Sequence, residues 1–223
     1  MPAHATRFIL LDLDGTLTDP FPGISRCVQY ALEQLGTPLP PRENLRKWIG
    51  PPLLESFRIY FEQLNLAHSE HLALDLYRER FSSIGLFENA VYPGVPRLLE
   101  SLQSQDLKLI LATAKPVVFA RRILNHFGLH TFFHACHGSE LDGRRTDKVE
   151  LLQYILDQES VDAGRSVMIG DRHHDMAAGR YHGMQTIGVT WGYGSGQELL
   201  DAGAGQLAAS PGELNRLLAR SLS

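Results

Sequence analysis

Four short, unbroken apolar runs punctuate the chain: Phe8 to Leu11, "LKLILAT" (Leu107 to Thr113), "SVMIGD" (Ser166 to Asp171) and "TIGVTWG" (Thr186 to Gly192). Between them, "VPRLLESLQ", "VVFARRILNHFG", "KVELLQYILDQ" and "HHDMAAGRYHG" place apolar residues at the spacing of a helix face. Continuous apolar runs of strand length separated by helices predict strands buried on both faces, hence a parallel sheet covered by helices on either side. The expected fold class is α/β, doubly wound. Asp12 and Asp14, Thr113, and Asp171 stand at the carboxyl ends of these runs, the edge of an open α/β sheet where ligands bind.

One long stretch breaks the alternation. From Phe21 to about Asn89 the pattern is helical throughout. Ile24, Cys27, Val28, Ala31, Leu32 and Leu35 line one helix face that ends at Gly36. Shorter patterns over Leu45 to Ile49, Leu53 to Leu64 and Leu72 to Ile84, broken by "TPLPP" and "GPP", predict three more helices. Since the chain leaves through "DPFPG" and returns through "ENAVYPGV", this bundle is expected to be a hinged insert over the strand ends.

A formal charge of −4 and the lack of any basic cluster interleaved with aromatics exclude a polymeric nucleic acid as partner. No apolar stretch reaches the roughly 18 to 20 residues that a membrane span needs. The start "MPAHATR" has no apolar signal core, so a cytoplasmic protein is expected. Cys27 and Cys136 form no Cys-x-x-Cys pair and are expected to be small core residues.

Chemistry concentrates in "FILLDLDGTLTDP". Alternate residues of an extended strand share a face, so Asp12 and Asp14 are expected on one side if strand geometry continues through Leu13. Gly15 permits a sharp turn, and Thr16 brings a hydroxyl and a backbone N–H to the same point. One aspartate could simply cap the turn. Two, joined by Asp171 and Asp175, would repel one another unless a cation lay among them. An all-oxygen set suits Mg²⁺.

In order along the chain, "DLDGT", "LILATAK", Lys148 and "IGDRHHD" resemble the four signatures of the haloacid dehalogenase superfamily of phosphatases. The resemblance covers nearly the whole chain, cap included. It implies a Rossmann-like core of residues 1–19 and 90–223 with a helical-bundle cap of residues 20–89. It further implies Asp12 as nucleophile, forming an aspartyl phosphate, and Asp14 as general acid and then base. Thr113 and Lys148 would hold the phosphoryl group. Mg²⁺ would be bound by Asp12, the Asp14 backbone carbonyl and Asp171, with Asp175 in support.

Gly15, Thr16, Ala114 and Lys115 are the expected substrate contacts in the core, with Lys115 competing with Lys148 for the phosphoryl role. The turn "WIGPPL" resembles the specificity loop of this cap type and makes Gly50 a candidate, with Arg46, Lys47, Tyr77 and Arg78 behind it. Arg172 is either a substrate contact or a surface residue. The adjacent His173 and His174 diverge on a helix, which argues against a transition-metal site. "WGYGSGQEL" resembles the family's flexible segment before a helix.

The expected activity is therefore Mg²⁺-dependent hydrolysis of a small phosphorylated metabolite, by a monomer or homodimer. "TAKP" is similar to phosphoglycolate phosphatases, but "TDKVELL" lacks their Lys-Pro-x-Pro. "IGPPL", "GDRHHD" and "GVTWGYGS" are more similar to the bacterial 5′-nucleotidase-like branch. A nucleoside 5′-monophosphate is the expected substrate and phosphoglycolate the alternative. Asp14 argues against a dehalogenase, whose halide needs no proton; a phosphomutase and a non-enzymatic binding protein are the remaining rivals.

Overall fold

The structure, a computed structural model, describes residues 8–67, 69–105 and 107–221. The chain divides into two compact units, Met1–Thr18 with Val91–Ser223, and Asp19–Ala90. Strand β1 (Phe8–Leu11) opens the larger unit, and β2 (Thr18–Asp19) and β3 (Ala90–Val91) pair with each other where the chain passes between units. The larger unit continues with β4 (Lys108–Pro116), β5 (Ala135–Ser139), β6 (Ser166–Gly170), β7 (Gln185–Val189) and β8 (Gln206–Ala208). With β1 these form a six-stranded sheet, ordered β5-β4-β1-β6-β7-β8, with every pair parallel.

Burial explains the four apolar runs. In register, Leu10 lies between Ile110 and Met168, and all three belong to a core completed by Leu151, Leu152, Ile155 and Ala178. Each Leu, Ile or Met side chain among them contributes about 1.5 to 3 kcal/mol on leaving water. Strands β5 and β8 escaped the sequence reading because they are the sheet edges. "ACHGS" and "QLA" carry polar residues, and Ala135 to His137 are only partly buried. Cys136 is accordingly a half-buried edge residue and not a core one, whereas Cys27 is fully buried.

The smaller unit holds α1 (Phe21–Gln34), α2 (Leu53–Gln63) and α3 (Glu70–Ser83). Helix α1 starts at Phe21, three residues before its first buried aliphatic residue, Ile24, because Pro22 fits the first turn. It buries Ile24, Cys27, Val28, Ala31 and Leu32 as the pattern predicts. The expected helix at Leu45 to Ile49 is instead the end of a 3₁₀ stretch, Arg42–Trp48. Pro41 before it and Gly50-Pro51-Pro52 after it leave room for only two tight turns. Tyr77 stacks on Phe81 with ring centroids 5.1 Å apart and is buried, which removes it from the candidate substrate contacts.

Helices α4 (Val95–Gln103), α5 (Val117–His126), α6 (Lys148–Gln158), α7 (His173–Tyr181), α8 (Gly196–Asp201) and α9 (Pro211–Ser221) complete the larger unit. None of the helices among the described residues is long and apolar enough to cross a membrane.

Candidate active site

Strand geometry does not continue through Leu13. The Asp12 N–H extends the β1–β6 ladder by donating to the Ile169 carbonyl at 3.0 Å, and the chain then turns. The Leu13 carbonyl accepts from the N–H groups of Thr16 (3.3 Å), Leu17 (2.8 Å) and Thr18 (3.0 Å), while the Gly15 N–H donates to Thr18 at 2.8 Å. The backbone donors of Gly15 and Thr16 thus close the turn itself. Gly15 has φ +85°, and a Cβ there would stand 2.1 Å from Asp171 Oδ2. Only glycine lets this turn press against that carboxylate.

Lys148 is buried, which a charge at the start of a helix seldom is. Asp147 caps α6 by accepting from Val149 and Glu150 N–H at 2.9 and 3.0 Å, fixing the helix start beneath the strand ends. From there the Lys148 ammonium lies 2.9 Å from Asp12 Oδ1 and 2.7 Å from Asp175 Oδ1, and donates to the Ala112 carbonyl at 2.8 Å. Burial disfavours its charge, but Asp12 and Asp175 outweigh burial and raise its pKa above the usual lysine range.

Asp12, Asp171 and Asp175 each bring a carboxylate oxygen within 4.8 Å of the other two. Burial first, then the charges of Asp12 and Asp175, push Asp171 well above the ordinary carboxylate range. Burial also raises Asp175, to about 6, although Lys148 opposes it. Three buried carboxylates facing one ammonium leave negative charge in excess, and their all-oxygen donor set fits a hard divalent cation such as Mg²⁺. The Thr16 hydroxyl points at Asp171 Oδ1 from 3.5 Å.

The Asp14 carboxylate stands apart from that triad. Its Oδ2 lies 2.6 Å from the Lys115 ammonium. Burial raises the Asp14 pKa, and Lys115 pulls against it. Lys115 reaches this position because β4 bulges: Thr113 pairs with Gly138 and Pro116 with Ser139, so Ala114 and Lys115 are extra residues on one strand. The bulge is pinned by Ser139, whose hydroxyl donates to the Ala114 carbonyl at 2.7 Å, and by Thr113 Oγ1, which accepts the Lys115 N–H at 3.2 Å. Gly50 belongs to the smaller unit, where it turns the chain at φ +106°.

Sequence reasoning missed the contribution of "WGYGSGQEL". The segment is anchored and not a free linker. Tyr193 N–H donates to Asp171 Oδ2 at 2.8 Å, Gly194 N–H to the Asp171 carbonyl at 3.1 Å, and Trp191 Nε1 to the Thr16 carbonyl at 3.1 Å. A Cβ on Gly192 would lie 2.4 Å from Asp171 Oδ2. Alternating glycines mark close backbone approach to a carboxylate here, a signal that reads equally as flexibility. Arg172 is ion-paired to Glu198 at 2.9 Å. His173 turns its Nδ1 to the same glutamate at 2.8 Å, and among the described residues the Asp triad is the sole metal-type cluster. Against the cost of burial, the His173 and Arg172 hydrogen bonds hold the Glu198 carboxyl down to about 2.

A family model described as haloacid dehalogenase-like hydrolase matches residues 9–189. The chain belongs to this family. A relative from Pseudomonas aeruginosa, named 5′-nucleotidase, is 48% identical over 191 residues, 86% of either chain. The tyrosine-protein kinase PtkA of Mycobacterium tuberculosis is 37% identical over 193 residues, covering 86% of this chain and 65% of that protein. The crystal structure of "a predicted phosphatase" from Clostridium acetobutylicum superposes with a TM-score of 0.90 at 37% identity, covering 97% of this chain and 99% of that one. The chain is thus an enzyme of the haloacid dehalogenase-like hydrolases, with 5′-nucleotidase and phosphoglycolate phosphatase among the names its relatives carry.

Proposed function

We propose that this haloacid dehalogenase-like enzyme is a Mg²⁺-dependent phosphomonoesterase that hydrolyses a nucleoside 5′-monophosphate through an aspartyl phosphate on Asp12. The observation that carries this reading is the buried Lys148 ammonium held against both Asp12 and Asp175, beside Asp171. A nucleophilic carboxylate, a cation for phosphoryl oxygens and an acidic set for a divalent ion meet at one strand edge. The likeness to the P. aeruginosa 5′-nucleotidase supports a nucleotide as substrate.

Asp12 attacks phosphorus as the ester bond breaks, and Asp14 gives its proton to the departing oxygen. The Thr113 hydroxyl and the Lys148 ammonium hold the equatorial oxygens, where charge accumulates in the transition state. Asp14, now a carboxylate, takes a proton from the water that attacks the aspartyl phosphate and frees Asp12. Asp12, Asp171, Asp175 and the Asp14 backbone carbonyl would hold Mg²⁺, which when bound offsets the repulsion between anionic nucleophile and anionic ester. Residues 20–89 serve as the cap that selects the leaving group, with Gly50 in its specificity turn. The enzyme is read as cytoplasmic. A second reading, phosphoglycolate, is favoured by "TAKP" and its Lys115 ammonium beside Asp14.

The test is phosphate release from nucleoside monophosphates, phosphoglycolate and sugar phosphates, with Mg²⁺ and with excess chelator. Nucleotides should be preferred and chelator should abolish turnover. Full activity in chelator would overturn the metal; preference for phosphoglycolate would overturn the substrate.

A further inference from the structure

Glu198 gives a single oxygen to three donors. Its Oε1 accepts from Arg172 Nε at 2.9 Å, His173 N–H at 3.1 Å and His173 Nδ1 at 2.8 Å. Its own sequence setting points elsewhere. Ser195-Gly196-Gln197-Glu198 is a capping-box pattern, in which the glutamate ordinarily reaches back to the backbone N–H of the cap residue. Ser195 does its half, accepting the Glu198 N–H at 3.0 Å. The Glu198 carboxylate turns instead to the chain that follows β6, so a local bond is replaced by a tie between α8 and the start of α7.

Arg172 lies between Asp171 and α7, which begins at His173 and carries Asp175. The Arg172 N–H donates to Asp175 Oδ2 at 3.2 Å, and the Gly194 N–H holds the Asp171 carbonyl. A Cβ on Gly194 would come within 3.4 Å of Glu198 Oε2, so glutamate and glycine loop close on the same point. Asp171 is fixed by the loop, and Asp175 by an N–H whose own residue is fixed by Glu198. Glu198 also pairs with the Arg172 guanidinium, whose charge acts on Asp171.

We propose that Glu198 is a positioning residue that sets the spacing and charge of Asp171 and Asp175 as cation ligands. The inference rests on the reading of the Asp12, Asp171 and Asp175 triad as a divalent-cation site. Groups of this kind, one bond removed from the ligands, typically cost about 10- to 100-fold in metal affinity when lost.

The test is titration of the purified full chain with Mn²⁺, following the free ion by electron paramagnetic resonance, for the wild type, Glu198→Ala and Glu198→Gln. Far-UV circular dichroism checks that each is folded. Glu198→Ala should weaken Mn²⁺ binding about 10-fold or more, with a matching loss of the thermal shift that Mg²⁺ produces. Glu198→Gln keeps an acceptor at the same place but not the charge and should fall between the two. If Glu198→Ala does not fold, the glutamine variant carries the test. Wild-type Mn²⁺ affinity in a folded variant would overturn the role given to Glu198 and leave the phosphatase reading intact. Failure of the wild type itself to bind Mn²⁺ would overturn both.

Discussion

Replacing Lys148 with Met keeps the stem that packs beneath the strand ends and removes only the ammonium. That ammonium has three partners within 2.9 Å, two of them carboxylates, and Lys148 as a whole is 6% exposed. Breaking a buried pair by deleting one partner typically costs about 3 to 5 kcal/mol, because the opposite charge stays behind without compensation. For a chain of this size each kcal/mol shifts Tm by about 2 to 4 °C, so the variant should melt about 6 to 20 °C below the wild type. The same loss removes a preorganised cation from the transferring phosphoryl group and should lower kcat about 10²- to 10³-fold.

The pH dependence gives this prediction a second edge. Asp175 already has its folded-state pKa raised to about 6 by burial, and Lys148 is the group pulling it down. Without Lys148 it rises further, so the folded state takes up a proton more readily than the unfolded chain and folding is favoured as pH falls. The Tm deficit should therefore be largest near pH 8 and shrink near pH 5. Calorimetry in chelator measures the deficit, and p-nitrophenyl phosphate turnover at saturating Mg²⁺ measures the catalytic loss. A variant that melts with the wild type at pH 8, or keeps kcat within about tenfold of it when Lys148 should supply far more, would refute the reasoning.

Two further outcomes separate the other charges of the site. Asp14→Asn should cripple alkyl phosphates yet give a burst of about one nitrophenol per site from p-nitrophenyl phosphate, since nitrophenolate leaves without a proton while the aspartyl phosphate waits for a base; rapid mixing that shows only slow linear release would remove Asp14 from the role. Lys115→Met should move the acid limb of the kcat profile to higher pH, because burial then raises Asp14 against the weaker pull of Lys148 alone and its carboxylate, the form that activates water, appears later; an unmoved limb measured across pH 5 to 9 would separate the two residues.

How much of this was legible beforehand depends on how each residue announces itself. The central strands were visible because the middle residues of β1, β4 and β6 are buried and form unbroken apolar runs. The edges were not, since β5 carries the partly buried His137, bonded to Glu159 at 2.7 Å, and reads as loop. Asp12 and Asp171 stood out because carboxylates directly after apolar runs have no cheap structural explanation, whereas Asp175, inside α7, stood out only as the last residue of "IGDRHHD". The closing of the site by Gly192, Gly194 and Glu198 was not, because glycine identity cannot distinguish a flexible chain from one pressed against a carboxylate. A Cβ on Gly170 would lie 2.1 Å from Asp175 Oδ2, as a Cβ on Gly15 would from Asp171 Oδ2. Both carboxylates are thus walled by positions where a side chain is excluded.

The two lysines show where sequence proximity misleads. Lys115 follows Thr113 within one signature, and Lys148 lies more than thirty residues further on, yet it is the distant one that joins the carboxylate triad. The reason is topological. Beyond Thr113 the β4 bulge pushes Lys115 out of the ladder and toward Asp14, the carboxylate that lies past the end of β1. Helix α6 starts below β4, and the Asp147 cap fixes its first residue where a four-carbon stem just reaches the Ala112 carbonyl and Asp12 behind it. Each opening aspartate therefore receives its own ammonium from a different element. Burial favours the neutral form of Asp14 while Lys115 favours its carboxylate, so the ammonium delivered by the β4 bulge acts directly on the charge of that aspartate.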